Sequence, residues 1–148
     1  MTIYEASLTY KRVGSGQAKA LDDPAKVVAY MKDAFVNDPT VEWFYVVLLN
    51  RKNFALGRVM VSKGTATSSL VHPREVYKPA LVAGCCSVIA VHNHPSGDPS
   101  PSSADIQVTR RLREAGKILD IELLDHIVIG EPHEGASGYY SFRDSGLL

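Results

Sequence analysis

The chain has 148 residues, 45% of them apolar and 22% charged, which favours one globular domain with a buried core. Its 16 basic and 16 acidic residues cancel, so the broad positive field of a general nucleic-acid-binding protein is absent. No apolar run is long enough for the core of a signal peptide or for a membrane span. The adjacent Cys85 and Cys86 are suited to packing in the core and not to a disulfide. A cytoplasmic protein is therefore expected.

The first part of the chain is predicted to hold an arm and one helix. Residues 1–22 show no sustained periodicity and are interpreted as an N-terminal arm or edge segment, with 23–148 as a single domain. Asp23-Pro24 is a helix start, and apolar residues recur at helical spacing up to Phe35. A helix is therefore predicted over 24–35, before the break at Pro39.

Three strands are predicted to follow as a meander. Residues 41–49 are rich in aromatic and branched side chains and are short enough for a central strand, in which Glu42 is the one charged residue. A polar turn leads into a second strand over 54–62, and a third short strand is predicted over 65–70.

The remaining elements mix helices with strands. A helix is predicted from Pro73 to Gly84, a buried strand over 87–91 with His92 at its end, a proline-rich loop, and a helix from Ser102 to about Ala115 that ends at Gly116. Strands over 121–130 and 139–142 complete the chain. This order predicts an α+β or mixed-sheet α/β domain with helices packed on a central sheet.

Two imidazoles and two carboxylates gather where the buried strand ends. Residues two apart on an extended backbone point to the same side, so His92 and His94 can aim two ring nitrogens at one point. Catalytic zinc commonly takes two histidines and one carboxylate and keeps a position for water. Asp105 is preferred over Asp98 as the carboxylate, because the first turn of a helix holds a side chain more rigidly than a loop turn does. One Zn²⁺ per chain is predicted.

Glu42 is the candidate general base. An isolated carboxylate in an apolar strand is costly to bury without a partner, and a water molecule on an adjacent metal would satisfy it. Hydrolysis of an amide bond also needs a base that passes a proton to the leaving amine. Glu75, near the start of the second predicted helix, is the alternative.

The spacing of these residues resembles a known family. His92-x-His94, seven residues, Ser102, two residues and Asp105, with Glu42 upstream, are similar to the JAMM (MPN+) metalloprotease signature. The segments 71–75, 92–98 and 125–126 resemble its bacterial RadC-like branch, and the similarity extends over about 39–148. The chain looks like a short form without the N-terminal helix-hairpin-helix region of full-length RadC proteins.

The resemblance implies a fold and a role for each site residue. The fold would be the cytidine-deaminase-like αβα sandwich of JAMM/MPN domains. Zinc would be bound by His92, His94 and Asp105, Glu42 would be the general base, and Ser102 would help to stabilise the tetrahedral oxyanion. Within the family pattern, Asp105 rather than Asp98 is the third ligand.

Several of these residues also have purely structural interpretations. Ser102-x-x-Asp105 is a capping box, which stabilises a helix start without any chemistry, although capping and ligation do not exclude each other. His126, next to Asp125, is predicted to be a hydrogen-bonded core histidine in preference to a residue that supports the metal or the substrate. The basic cluster that begins at Arg110 is interpreted as a solvated helix face.

The predicted function is zinc-dependent hydrolysis of a peptide or isopeptide bond in a peptide or protein substrate. The alternative is a non-catalytic or DNA-repair-associated accessory module in which zinc is structural. Metal-dependent chemistry on nucleic acid is a third hypothesis, which the neutral net charge disfavours. An open metal position beside Glu42 would distinguish a catalytic site from a closed structural one.

Overall fold

A computed structural model describes residues 1–5, 19–64 and 71–148. The predicted strand over 65–70 and most of the predicted N-terminal arm lie outside these residues. In the described part of the chain, no helix has both the length and the apolar character needed to cross a bilayer.

The described elements form a mixed five-stranded sheet with three helices. The helices are α1 (Pro24–Tyr30), α2 (Pro73–Ala83) and α3 (Ser103–Leu119), and the strands are β1 (Trp43–Leu49), β2 (Ala55–Lys63), β3 (Ser87–Asn93), β4 (Glu122–Ile129) and β5 (Tyr139–Ser141). The strand order is β2-β1-β3-β4-β5. Only the β3–β4 pair in this sheet is parallel, and α3 is the crossover that joins these two strands.

The central strands are buried on both faces, which makes three layers. Odd-numbered residues of β1 and β3 share a core cluster with α1, and even-numbered residues share a second cluster with α2 and α3. This alternation is the period of two expected for strands. One helix on one face and two on the other give the αβα architecture that the family resemblance implied, with the mixed sheet in the middle.

The first predicted helix is shorter than expected. α1 ends at Tyr30, and residues 31–37 continue as turns. Met31 donates to both Val27 and Val28, and Ala34 donates to Met31, so bonds three residues apart replace the α-helical ladder. Met31 and Ala34 are nevertheless buried. The prediction to Phe35 was wrong because turns of this spacing also bring every third or fourth side chain to one face.

The third helix is longer than expected. Gly116 does not end α3, which runs to Leu119 and is capped by Asp120 in the left-handed conformation. A Cβ atom on Gly116 would lie 2.5 Å from both the Ile121 carbonyl oxygen and the Tyr77 hydroxyl. Gly116 therefore allows α2 and the turn into β4 to pack closely against α3, and it does not terminate the helix.

Candidate metal centre

Strand direction brings Glu42 to the two histidines. β1 and β3 are antiparallel, with Phe44 paired to His92, so the start of β1 lies beside the end of β3. β1 begins at Trp43, so Glu42 lies just before the strand and not inside it as predicted. His92 belongs to β3, and His94 is the first residue after it. Asp105 lies in the first turn of α3, which begins at the same edge of the sheet.

Four side chains meet at this edge. Among the described residues, Glu42, His92, His94 and Asp105 form a group whose ligand atoms all lie within 4.8 Å of one another. The Nε2 atoms of His92 and His94 are 3.1 Å apart. Asp105 Oδ1 lies 3.2 Å from Nε2 of His92, and Asp105 Oδ2 lies 3.4 Å from Nε2 of His94. The cluster can hold a metal ion.

These spacings fit a tetrahedral zinc centre. Ligand atoms at about 2.0–2.1 Å from a tetrahedral ion are about 3.3 Å from each other. The three separations among His92, His94 and Asp105 are 3.1, 3.2 and 3.4 Å, and the donor set of two imidazoles and a carboxylate is one that zinc accepts. Residue type and spacing therefore agree for three ligands.

Glu42 lies slightly farther out. Its Oε1 is 3.6 Å from Nε2 of His92 and 3.7 Å from Nε2 of His94, and its side chain is 17% exposed, whereas that of Asp105 is 4% exposed. The carboxylate therefore faces the same point as the three candidate ligands while keeping access to solvent. A base that exchanges protons with a bound substrate needs this combination.

Asp105 is held by the capping box that the sequence predicted. The backbone N–H and the hydroxyl of Ser102 each donate to Asp105 Oδ2 at 2.7 Å, and the backbone N–H of Asp105 donates to Ser102 Oγ. Burial by itself raises the pKa of Asp105, but hydrogen bonds with His92 and His94, the charge of His92 and the backbone hydrogen bond from Ser102 outweigh it and hold that pKa well below its usual range. The two hydrogen bonds that Oδ2 accepts from Ser102 also stabilise the ionised carboxylate, the form that a metal ligand requires.

The loop after β3 fixes His94. Its Nδ1 lies 2.8 Å from the carbonyl oxygen of Asp98, which can only accept, so Nδ1 carries the proton and Nε2 is the nitrogen that faces the cluster. Backbone bonds from His94 to Ile129 and from Glu131 to Gly97 tie the loop to the end of β4. The hydrogen bond to Asp105 is the main cause that raises the pKa of His94, against the opposing effect of burial.

His126 is a core histidine that also contacts a candidate ligand. It is fully buried, and its Nε2 lies 2.8 Å from Nδ1 of His92 while its Nδ1 lies 2.6 Å from the hydroxyl of Thr109. Burial, followed by the charge of His92, lowers the pKa of His126 well below its ordinary value. The interpretation of His126 as a hydrogen-bonded core histidine is therefore confirmed, and a role in supporting the metal or the substrate stays a prediction. Asp125 instead accepts hydrogen bonds from Ser141 and from the backbone N–H groups of His126 and Arg143.

Asn93 and Thr109 are the residues that the sequence analysis missed. The side-chain amide of Asn93 donates to the carbonyl of Val41 at 3.0 Å and accepts from the backbone N–H of Trp43 at 2.7 Å, so it holds the peptide groups on either side of Glu42. A buried amide usually has hydrogen-bond partners, so an asparagine directly after a predicted buried strand is a signal that could have identified Asn93. Thr109 follows Asp105 by four residues, one turn along the same helix face.

The structure leaves two alternative carboxylates outside the cluster. Asp98 is exposed, and its side chain accepts from the backbone N–H of Ser100. Glu75 is also exposed and pairs with its neighbour Arg74 on α2. Neither belongs to the group of possible metal ligands formed by the described residues.

Comparison with known proteins places this site in a family. A family profile described as "RadC-like JAB domain" matches residues 21–147. The chain belongs to the RadC-like JAB domain family. The resemblance seen in the motif is thereby confirmed at the level of the family, and the mixed sheet with its helices agrees with the JAB/MPN fold.

Relatives of similar sequence carry a family name that states no activity. UPF0758 protein STH371 of Symbiobacterium thermophilum is 52% identical over 109 residues, which is 74% of this chain and 44% of the relative. A UPF0758 protein of Trichlorobacter lovleyi is 47% identical over 125 residues, 84% of this chain and 52% of the relative. A third UPF0758 protein, from Geotalea uraniireducens, is 42% identical over 140 residues, which is 93% of this chain and 59% of the relative. The chain therefore spans about half the length of the curated relatives it matches.

Proposed function

We propose that this RadC-like JAB domain is a zinc metallohydrolase that cleaves a peptide or isopeptide bond. The observation that carries the proposal is the arrangement of the ligand atoms of His92, His94 and Asp105, which lie 3.1, 3.2 and 3.4 Å from one another and therefore suit zinc. The partly buried carboxylate of Glu42 lies beside them. A purely structural zinc site has four protein ligands and has no use for a base beside it. A zinc ion bound here would polarise the carbonyl of the substrate and make a water molecule acidic near neutral pH.

The protein's own residues would divide the remaining work. Glu42 would accept the proton of the attacking water at Oε1, the oxygen closest to the two histidines, and return it to the leaving amine. The Ser102 hydroxyl donates to Asp105 Oδ2 in this structure, so a role at the oxyanion requires that it rotate towards the substrate. Asp105 would keep a second hydrogen bond, from the backbone N–H of Ser102, during that rotation.

The chemistry of the site supports one class of substrate. A zinc ion with an adjacent carboxylate base is suited to an amide carbonyl with a poor leaving group, which needs both activation and proton delivery. The neutral net charge gives no general attraction for nucleic acid. We therefore propose a peptide or protein substrate, and a cytoplasmic location stays a prediction from the sequence.

Metal content is the first test. Elemental analysis of tag-free wild-type protein should give one zinc per chain, and His94→Ala and Asp105→Ala should each lose it, because each removes one of three ligands. Asp98→Ala is the matched control and should keep its zinc, since this carboxylate is exposed and lies outside the cluster. If wild-type protein is purified without chelators, is offered zinc and binds none, the proposal is contradicted.

Glu42→Gln separates binding from catalysis. The variant is expected to keep its zinc and to cleave a mixed peptide library, followed by mass spectrometry, about 10²- to 10⁴-fold more slowly, the usual contribution of a general base. Glu75→Gln should leave both zinc content and cleavage unchanged. If the zinc-loaded wild type cleaves no faster than Glu42→Gln across the library, a non-catalytic binding module becomes the better account.

A further inference from the structure

A buried chain of hydrogen bonds runs from α3 to His92, on the side of that ring away from the other ligands. The Thr109 hydroxyl oxygen lies 2.7 Å from the carbonyl oxygen of Asp105 and 2.6 Å from Nδ1 of His126. Nε2 of His126 lies 2.8 Å from Nδ1 of His92. Thr109 is 1% exposed, and both histidines are fully buried. The direction of each bond therefore depends on the protons that these groups carry, without competition from solvent.

The direction is fixed at the Thr109 end. A carbonyl oxygen has no proton to give, and two oxygen atoms 2.7 Å apart need a proton between them, so the Thr109 hydroxyl donates to Asp105. Its one proton is then committed, so Thr109 accepts from His126, and Nδ1 of His126 carries a hydrogen. The His126 ring stacks on Phe142 at 4.8 Å and packs against Phe44, surroundings that favour a neutral imidazole with a lone pair on Nε2.

The same reasoning then fixes His92. Because Nε2 of His126 accepts, Nδ1 of His92 must donate, and the lone pair of His92 is left on Nε2. That nitrogen is the one that lies 3.1 Å from Nε2 of His94 and 3.2 Å from Asp105. We propose that Thr109 and His126 are positioning residues that set the tautomer of His92, so that Nε2 is free to bind the metal. This inference rests on the metal-binding half of the proposed function and is independent of hydrolysis.

The chain also links two ligands that come from different elements. Thr109 bonds to the backbone of Asp105 on α3, and His126 connects it through β4 to His92 on β3. Partners behind a ligating histidine that fix its tautomer and orientation contribute about 10- to 100-fold to metal affinity in proteins. Loss of the Thr109 oxygen should therefore be visible in zinc binding although Thr109 itself does not face the metal.

The first test reads the tautomers directly. Ring ¹⁵N NMR of metal-free wild-type protein, at a pH where the imidazoles are neutral, should show protonated Nδ1 and unprotonated Nε2 for both His92 and His126. In Thr109→Val, Nδ1–H of His126 would face a methyl group, so its proton should move to Nε2 and donate to His92. The His92 proton should then move to Nε2, where it competes with zinc.

The second test measures the zinc dissociation constant by competition with a chromophoric chelator. Thr109→Val should bind zinc about 10- to 100-fold more weakly than the wild type, and Thr109→Ser, which keeps the hydroxyl, should bind it as the wild type does. Tyr77→Phe is the matched control, since the Tyr77 hydroxyl also makes a buried bond to a carbonyl of α3, that of Leu112, away from the site. Its zinc affinity should not change.

Three results would overturn the proposal. They are a His92 proton on Nε2 in the wild type, an unchanged zinc affinity in Thr109→Val, and an equal loss of affinity in Tyr77→Phe, which would indicate general destabilisation. Failure of the proposed function looks different. A wild type that binds zinc but cleaves nothing leaves both tests intact. A wild type that binds no zinc overturns the role of the chain in metal binding, and the ring shifts then decide only whether Thr109 and His126 set the tautomer of His92.

Discussion

At the residue scale, each of the three candidate ligands has a second polar partner behind it. His94 donates to the carbonyl of Asp98, Asp105 accepts from Ser102, and His92 contacts His126. Among the described residues, no buried side-chain nitrogen or oxygen lacks a hydrogen-bond partner. The ligand atoms are thus held in place by the protein, which lowers the entropic cost of bringing them together around an ion.

The amide of Asn93 gives a prediction at this scale. Asn93→Ala removes both hydrogen bonds to the peptide groups that flank Glu42, so the free energy of unfolding should fall by about 1–3 kcal/mol and cleavage should slow because the base is less well placed. Zinc content should not change, since the ligands keep their own partners. Chemical denaturation, elemental analysis and the peptide assay measure the three quantities.

Asn50→Ala is the control for this prediction. Asn50 also accepts from two backbone N–H groups, those of Lys52 and Phe54, but in the turn between β1 and β2, away from the metal centre. The Asn50→Ala protein should be less stable than the wild type but should cleave the peptides at the wild-type rate. A zinc-loaded Asn93→Ala protein with wild-type cleavage would show that Asn93 has no part in placing Glu42.

At the element scale, the site is a product of strand direction. Antiparallel pairing of β1 with β3 brings the start of one strand to the end of the other, and the crossover through α3 returns Asp105 to that edge. The site therefore draws on three elements that share one edge of the sheet, although β1 lies far from β3 and α3 in the chain. Residues at strand ends and helix starts supply it, as is common where a sheet carries a binding site.

Gly116 gives a prediction about how these elements pack. Gly116→Ala should lower the free energy of unfolding by about 1–3 kcal/mol, the usual cost of overpacking, although alanine is the better helix former. The reason is that the new Cβ atom would meet the Ile121 carbonyl and the Tyr77 hydroxyl at 2.5 Å. Urea unfolding measures the change.

Gly57→Ala is the comparison for Gly116. A Cβ atom on Gly57, in β2, would have no neighbour within 4 Å, so this substitution should leave the free energy of unfolding nearly unchanged or raise it slightly. A Gly116→Ala protein as stable as the wild type would mean that the contact between α2 and α3 can relax without cost.

At the scale of the whole molecule, two hydrophobic clusters lie on opposite faces of one sheet, and the metal centre lies at the sheet edge. His92 lies near the end of β3, Asp105 lies in the first turn of α3, and Glu42 precedes β1. An ion bound by these ligands would tie the sheet to α3 in the folded state only, because the unfolded chain does not hold them together. Zinc should therefore stabilise the fold as a whole.

Thermal unfolding measures this stabilisation. With free zinc at about 100 times its dissociation constant, the free energy of unfolding should rise by about 2.7 kcal/mol, which corresponds to about 5–10 °C in Tm for a chain of this size. A chelator should reverse the shift. His94→Ala should show no shift, while Asp98→Ala should show the full one. A zinc-induced shift that persists in His94→Ala would place the metal somewhere else.

The sequence by itself determined the local features of this protein. Short runs of apolar, largely aromatic and branched residues predicted β1 and β3 as buried strands, the capping box predicted the start of α3, and the His92-x-His94 spacing with Asp105 predicted which side chains gather. These predictions succeed because each depends on chemistry within a few residues of the chain. Periodicity failed at the end of α1, where turns repeat the helical spacing, and the glycine signal failed at Gly116, where contacts with Tyr77 and Ile121 decide the outcome.

Only the tertiary structure decided which distant groups meet. The place of Glu42 depends on the register of β1 against β3, and the contacts of Asn93 with the peptide groups around it depend on the same register. The chain from Thr109 through His126 to His92 depends on the packing of α3 against β4. Hydrogen bonds between residues far apart in sequence leave no spacing pattern, because their geometry is fixed only when the sheet and the helices have packed together.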